Sequence, residues 1–124
     1  MNRNYIASEL LTAAKELTEG FSDVSAKVRG DKVFVEATVN GKKSKLYVRE
    51  LQIAAEEKAK HKLYDFKISK AFAQVWEGRL RVVVDAFAND NEGQYADIVA
   101  ELYFSIDSRG NLIRDDYKVE LDWD

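Results

Sequence analysis

Between residues 96 and 106 the chain alternates with a period of two. Ala96, Ile98, Ala100, Leu102, Phe104 and Ile106 fall on one phase, and Asp97, Val99, Glu101, Tyr103 and Ser105 fall on the other. Only a β-strand places alternate residues on one face, because a helix would scatter these apolar side chains around its axis. The same period recurs in Phe66, Ile68, Phe72 and Trp76, then in Leu80, Val82, Val84 and Ala86, and finally in Ile113, Tyr117, Val119, Leu121 and Trp123. Four long strands therefore follow one another, and their short connections make neighbours antiparallel.

The preceding half is more mixed. Val24, Ala26 and Val28 alternate with polar residues, "RGDK" reverses the chain, and Val33, Val35, Ala37 and Val39 continue the pattern. Asn40-Gly41 is a strong hairpin signal, since both residues accept the positive φ of a type I′ turn, and a third strand follows around Leu46 and Val48. Two segments carry the three-to-four spacing of helices. Residues 4–19 place Ile6, Leu10, Ala13, Ala14 and Leu17 on one stripe, capped by Asn4 and ended by Gly20. Residues 49–62 place Leu51, Ala54, Ala55 and Ala59 on another. The predicted order is α-βββ-α-ββββ. Long strands twist, and a curled sheet needs something to wrap. The expectation is thus a single α+β domain over residues 1–124, with the N-terminal helix packed on one curled antiparallel sheet, a cystatin-like or related wrap. A split near residue 62 is the alternative, disfavoured because the first half has a thin core.

Composition narrows the functional classes. The chain has 124 residues, no cysteine and no proline. Thiolate metal sites, disulfides and cysteine nucleophiles are excluded. Nineteen basic and 22 acidic residues leave a net charge of -3, which gives no global attraction for nucleic acid. The opening "MNRNYIASELLTAAKELTEG" lacks an apolar signal core, and no run of about 18 apolar residues occurs, so a cytoplasmic protein that does not span a membrane is expected.

The stretch "DAFANDNEGQYAD" places acids and amides between two strands, as a metal loop or a hairpin turn would. With Gly93 as the sixth residue of a calcium loop, Ala88 and Val99 fall at the first and twelfth positions, where oxygen ligands are required. A looser set of Asp85, Asp90, Glu92 and Asp97 competes with the plainer reading, in which Asn and Asp side chains bond to their own backbone. His61 is the only histidine. It lies among lysines at the end of a predicted helix, where the dipole favours a cation. No serine stands in a nucleophile elbow and no glycine loop suits a phosphate. Trp76 and Trp123 fall on the apolar phase and read as core. Tyr47, Tyr95 and Tyr103 fall on the opposite phase and are the candidate contact residues. The strands at 22–29 and 111–123 are candidate sheet edges, and Lys118 and Glu120 on the latter are placed to set the register of a partner or of a second copy.

Two segments resemble known families. "FVEATVNGKK" and "QIAAEEKAKHKL" resemble the second strand and last helix of double-stranded RNA-binding domains, which implies a module in residues 1–62. That family grips phosphates with a lysine cluster at the start of the last helix, whereas here "LYVRELQ" offers only Arg49 and the lysines at 58, 60 and 62 come at the other end. "YIASELLTAAKELT" resembles the opening helices of small uncharacterised proteins of tailed phages, which implies a viral origin and a host cytoplasm.

The expected function is a non-enzymatic protein-binding or assembly module, structural or inhibitory, acting on a protein partner or forming a homodimer, with no cofactor and no metal and with nucleic acid disfavoured. One alternative is a cone-shaped pocket for a small apolar ligand, lined by Ala71, Ala73, Ala86, Ala88, Ala96 and Ala100. An enzyme built on that pocket would have His61, Asp85 and Tyr95 as its acid–base groups.

Overall fold

A computed structural model describes residues 21–124. The described chain forms β1 (Phe21–Arg29), β2 (Lys32–Val39), β3 (Lys42–Val48), α1 (Leu51–Ala59), β4 (Tyr64–Trp76), β5 (Arg79–Asn89), β6 (Tyr95–Ile106) and β7 (Leu112–Trp123). The expected α+β wrap is corrected. Among the described residues the chain is mostly β, 69% strand and 9% helix, and its strands form two sheets rather than one curled sheet. The first sheet has the order β1-β2-β3 and the second β4-β5-β6-β7, with every pairing antiparallel. The helix expected over residues 4–19, with its Asn4 cap and its end at Gly20, lies outside the described residues.

Among the described residues the two sheets share one core. Val33, Val35, Ala37 and Val39 of β2 are buried in the same cluster as Leu80, Val82 and Val84 of β5 and Ile98, Leu102 and Phe104 of β6. The edge strands β1 and β4 run close to one another, while β3 approaches β7. Leu51 and Ala55, one helical turn apart, bury the inner side of α1 in this core and set the helix alongside β7. The helix is shorter than the sequence pattern because Lys60 turns left-handed (φ 65°), its N–H still bonded to the Glu56 carbonyl at 2.8 Å. The Glu56 carboxylate then accepts the Leu63 N–H at 2.9 Å, which returns the chain to the core at Leu63.

Turn chemistry follows local sequence. Asn40 and Gly41 take φ values of 50° and 82° in the β2–β3 hairpin, as the dipeptide predicts. Glu77 and Gly78 do the same between β4 and β5, with φ 48° and 77°, although glutamate gives little warning of it. The β5–β6 and β6–β7 loops repeat one device. In "DNEGQ" and "DSRGN" the first aspartate accepts the N–H groups two and four residues on. The distances are 2.9 and 2.7 Å to Asp90 and 2.8 and 2.9 Å to Asp107. These bonds to Asn111, Arg109 and Gly110, with Asn111 first, hold the Asp107 carboxyl below the usual aspartate range.

Irregularities in two strands redirect side chains. Along β4 the register advances from Tyr64↔Asn89 to Lys67↔Phe87, and from Ile68↔Ala86 to Lys70↔Asp85, so each step inserts an extra residue on β4. Each insertion reverses which face the following residues occupy. Ala71, Ala73 and Val75 therefore pack on the core, and Phe72 and Trp76 point to solvent, each 47% exposed. This corrects the expectation that Trp76 is core. Trp123 does pack against the core. A third irregularity, between Tyr103 and Phe104, similarly leaves Ile113 of β7 outside.

The shared core makes a direct prediction. Phe104 is 2% exposed and pairs with fully buried Leu80 across β5 and β6. Phe104→Ala removes a buried ring from the core the two sheets share and should lower unfolding free energy by about 3–5 kcal/mol. Urea titration followed by circular dichroism measures this, and a loss under about 1 kcal/mol would show that the sheets do not depend on one core.

Candidate functional site

The outward face of the four-stranded sheet is set by the inward one. Because the inner column of β5 is buried from Leu80 to Ala88, its alternate residues Arg79, Arg81, Val83, Asp85 and Phe87 must point away. Register then aligns them across the sheet in rows. Gln74, Arg81, Tyr103 and Asp116 form one row; Phe72, Val83, Glu101 and Lys118 form the next. Lys70, Asp85, Val99 and Glu120 follow, and then Lys67, Phe87, Asp97 and Asp122.

The first two rows and the β4–β5 turn hold a connected aromatic and ionic network. Arg81 donates to Glu101 at 2.9 Å, and the Tyr103 hydroxyl donates to the other oxygen of the same carboxylate at 2.8 Å. The Arg81 guanidinium lies over the Trp76 ring at 5.5 Å, and that of Arg79 lies over Tyr103 at 4.6 Å. Arg79 also faces Asp115 at 3.8 Å, whose carboxylate accepts a bond from Ser105 at 2.6 Å. The Tyr103 hydroxyl and then the Arg81 guanidinium hold the Glu101 carboxyl below the usual glutamate range, and Glu101 in turn raises Arg81. The Arg81 Nε is buried without a hydrogen-bond partner. The effect is to fix flexible arginines as flat, oriented surfaces beside exposed Trp76 and Phe72.

Four of the five residues picked out as contact candidates share this face. Tyr103 stands inside the network, and Lys118 pairs with Glu101 across the ladder. Glu120 pairs with Val99, and Tyr95 lies at the far end, stacked on Phe87 at 6.0 Å with its hydroxyl donating to Asp97 at 2.9 Å. That bond raises the Tyr95 pKa. Tyr47 is elsewhere, on the first sheet, packed on Phe34 at 4.9 Å and flanked by Lys32 and Arg49. It borders a solvent-open hollow of about 350 Å³ with Glu50, Phe104 and Arg114. Sequence reasoning missed Phe72, Trp76, Arg79 and Arg81. A signal existed, since Lys67 and Lys70 three residues apart can both face water on one strand only with an extra residue between them.

The acid loop and the remaining candidates are placed differently. Asp90 spends its carboxylate on the loop backbone, Asp85 faces Lys70 at 3.4 Å, and Asp97 takes the Tyr95 hydroxyl. Among the described residues no group of three or more acids and histidine converges as a metal would require. His61 packs against Trp123 at 5.4 Å on the inner phase of β7, whereas Asp85 and Tyr95 face outward, so these three do not form one constellation. Ala86, Ala88, Ala96 and Ala100 are buried within the core cluster or beside it. The edge expected at 111–123 is β7, but α1 lies alongside it, and Ala54, Glu57 and Lys58 line a common solvent-open hollow with Tyr117, Lys118 and Val119. No described helix is long and apolar enough to cross a membrane.

Comparison of the chain with protein-family models, with curated proteins and with solved structures finds no match.

The network makes a pH prediction. Glu101 has a folded pKa below its unfolded one, so its ion pair and hydrogen bond contribute stability that is complete above about pH 4.3 and is lost as pH falls through the lower folded value. Glu101→Gln should therefore show a shallower fall in urea midpoint between about pH 5 and pH 3 than the wild type. Parallel curves for the two proteins would mean that Glu101 is not held ionised by its neighbours.

Proposed function

We propose that the chain is a non-enzymatic protein-binding or assembly module whose contact surface is the outward face of the four-stranded sheet. The observation that carries this reading is the cluster of half-buried Arg79, Arg81 and Tyr103 beside exposed Trp76 and Phe72. Tryptophan, tyrosine and arginine dominate the energetics of protein interfaces, because each covers a large area and brings a polar group to its rim. Here the arginines are already stacked and salt-bridged. A partner then meets a surface whose side-chain freedom is largely spent on folding, which lowers the entropy cost of association. The likeness of "YIASELLTAAKELT" to opening helices of tailed-phage proteins supports a phage setting in a host cytoplasm, with a structural or inhibitory role.

The test uses the full chain as bait in its native host extract, with Trp76→Ala/Tyr103→Ala and Tyr47→Ala compared against wild type. Truncating a hot-spot residue costs about 2 kcal/mol or more, so the double variant should retain a specific partner at least ~30-fold less well, and Tyr47→Ala should behave as wild type. Undiminished retention by the double variant places the contact on another surface. A wild-type chain that binds nothing, including itself, removes the reading.

A further inference from the structure

The charges on the outward face of the four-stranded sheet are segregated by strand. Lys67 and Lys70 lie on the β4 side, followed inward by Arg79 and Arg81 on β5; Asp97 and Glu101 on β6 and Asp116, Glu120 and Asp122 on β7 lie on the other side, with Asp85 on β5 and Lys118 on β7 the exceptions. Such a face is a flat dipole running across the strands. A surface of this kind is complementary to itself under one symmetry operation, a two-fold axis lying in the interface parallel to the strands between β5 and β6. That rotation carries the basic side of one copy onto the acidic side of the other.

The rows make the match specific, because the axis maps each row onto itself in reverse. Lys67 meets Asp122 of the second copy, since both stand in one row, and Lys70 meets Glu120 for the same reason. In the row beyond the next, Arg81 meets Tyr103, a cation over an aromatic ring. At the end of the sheet outward-turned Trp76 comes over outward-turned Ile113. Packed sheets cross at about 30°, which displaces the outer columns by about one residue, within the reach of a lysine side chain. Rotation about an axis perpendicular to the face cannot bring two faces together, and an in-plane axis across the strands would set lysines against lysines. The charge pattern therefore selects one geometry.

We infer that a second copy of this chain occupies this face, docked about a two-fold axis parallel to the strands with β4 of each copy over β7 of the other. This rests on the contact surface proposed above and names its partner. Four strands about 4.8 Å apart and about 11 residues long span roughly 19 by 36 Å, so the pair would cover on the order of 1,400 Å², the size of a standard specific interface. The isologous arrangement also gives Trp76 and Arg81 their role twice, once in each copy. It differs from edge pairing through β7, which α1 partly occupies.

The experiment is charge exchange read by sedimentation equilibrium at low and high salt. Wild type is expected to dimerise at micromolar concentration, with at least ~10-fold weakening from 50 to 500 mM salt. Lys67→Glu/Lys70→Glu and Glu120→Lys/Asp122→Lys should each raise the dimer Kd at least ~10-fold, because each sets like charges against each other in the two rows where β4 faces β7. All four sites are exposed, so thermal melts should stay close to wild type. An equimolar mixture of the two variants should form a heterodimer, and the chain carrying all four substitutions should dimerise again, since its dipole is reversed but intact. A wild type monomeric at several hundred micromolar overturns the inference, and a different protein retained through Trp76 would then leave the contact surface itself standing. A dimer that survives both reversals, or a mixture that does not associate, overturns it as well.

Discussion

The inner columns of β5 and β6 hold the molecule together. Leu80, Val82, Val84, Ala86 and Ala88 stand opposite Phe104, Leu102, Ala100, Ile98 and Ala96, and all are buried. A slip of one residue would turn the whole apolar set to water, so the hydrophobic effect fixes this register more firmly than any single hydrogen bond does. The remaining elements arrange themselves against that ladder. β2 supplies the facing column from the other sheet, and α1 covers the core with Leu51 and Ala55. Several of the central residues are small. Alanine at four positions of β5 and β6 leaves room for the opposing sheet to approach.

Function, on this reading, is a consequence of what the ladder leaves outside. Once the inner column of β5 is fixed, Arg79 and Arg81 have no choice but to point outward, where they find Tyr103, Glu101 and Asp115 at matching positions. The cluster is held by bonds among its own side chains, with two arginines lying on two aromatic rings. Exposed aromatic groups bring a hazard of indiscriminate association. The surrounding lysines and acids limit it, because only a surface of complementary pattern can desolvate them without loss. The same charges that discourage casual contact thereby define what a correct contact must look like.

Much of this was legible in the sequence. Period-two alternation determined the strands and their inward sets on β2, β5 and β6; Asn40-Gly41 determined a hairpin, and the mixture of Ala, Glu and Lys after Arg49 determined a helix near its observed place. Tyr95, Tyr103, Lys118 and Glu120 were correctly put on the polar phase of their strands. These succeed because each depends on contacts between residues close in the chain or on simple alternation, and both are local. The acid loop is similar. Asp90 and Asp107 bond to backbone groups two and four residues away, a short-range motif that the paired "DNEGQ" and "DSRGN" spell out.

Only the tertiary structure decided the division into two sheets and the exposure of Phe72 and Trp76. Whether seven strands join into one sheet or two depends on how β1 and β4 meet, a relation between residues about forty positions apart that alternation does not encode. The extra residues in β4 have the same origin. Extending the even-numbered phase of Ile68 predicts buried Phe72 and Trp76, yet β5 places Val84 and Val82 opposite Ala71 and Ala73, and the smaller residues fit the crowded interior where two rings would not. Packing against a neighbour thus overrode the pattern of the strand itself. It turned two large aromatic side chains to the surface, and so supplied the part of the candidate site that the chain's own periodicity had assigned to the core.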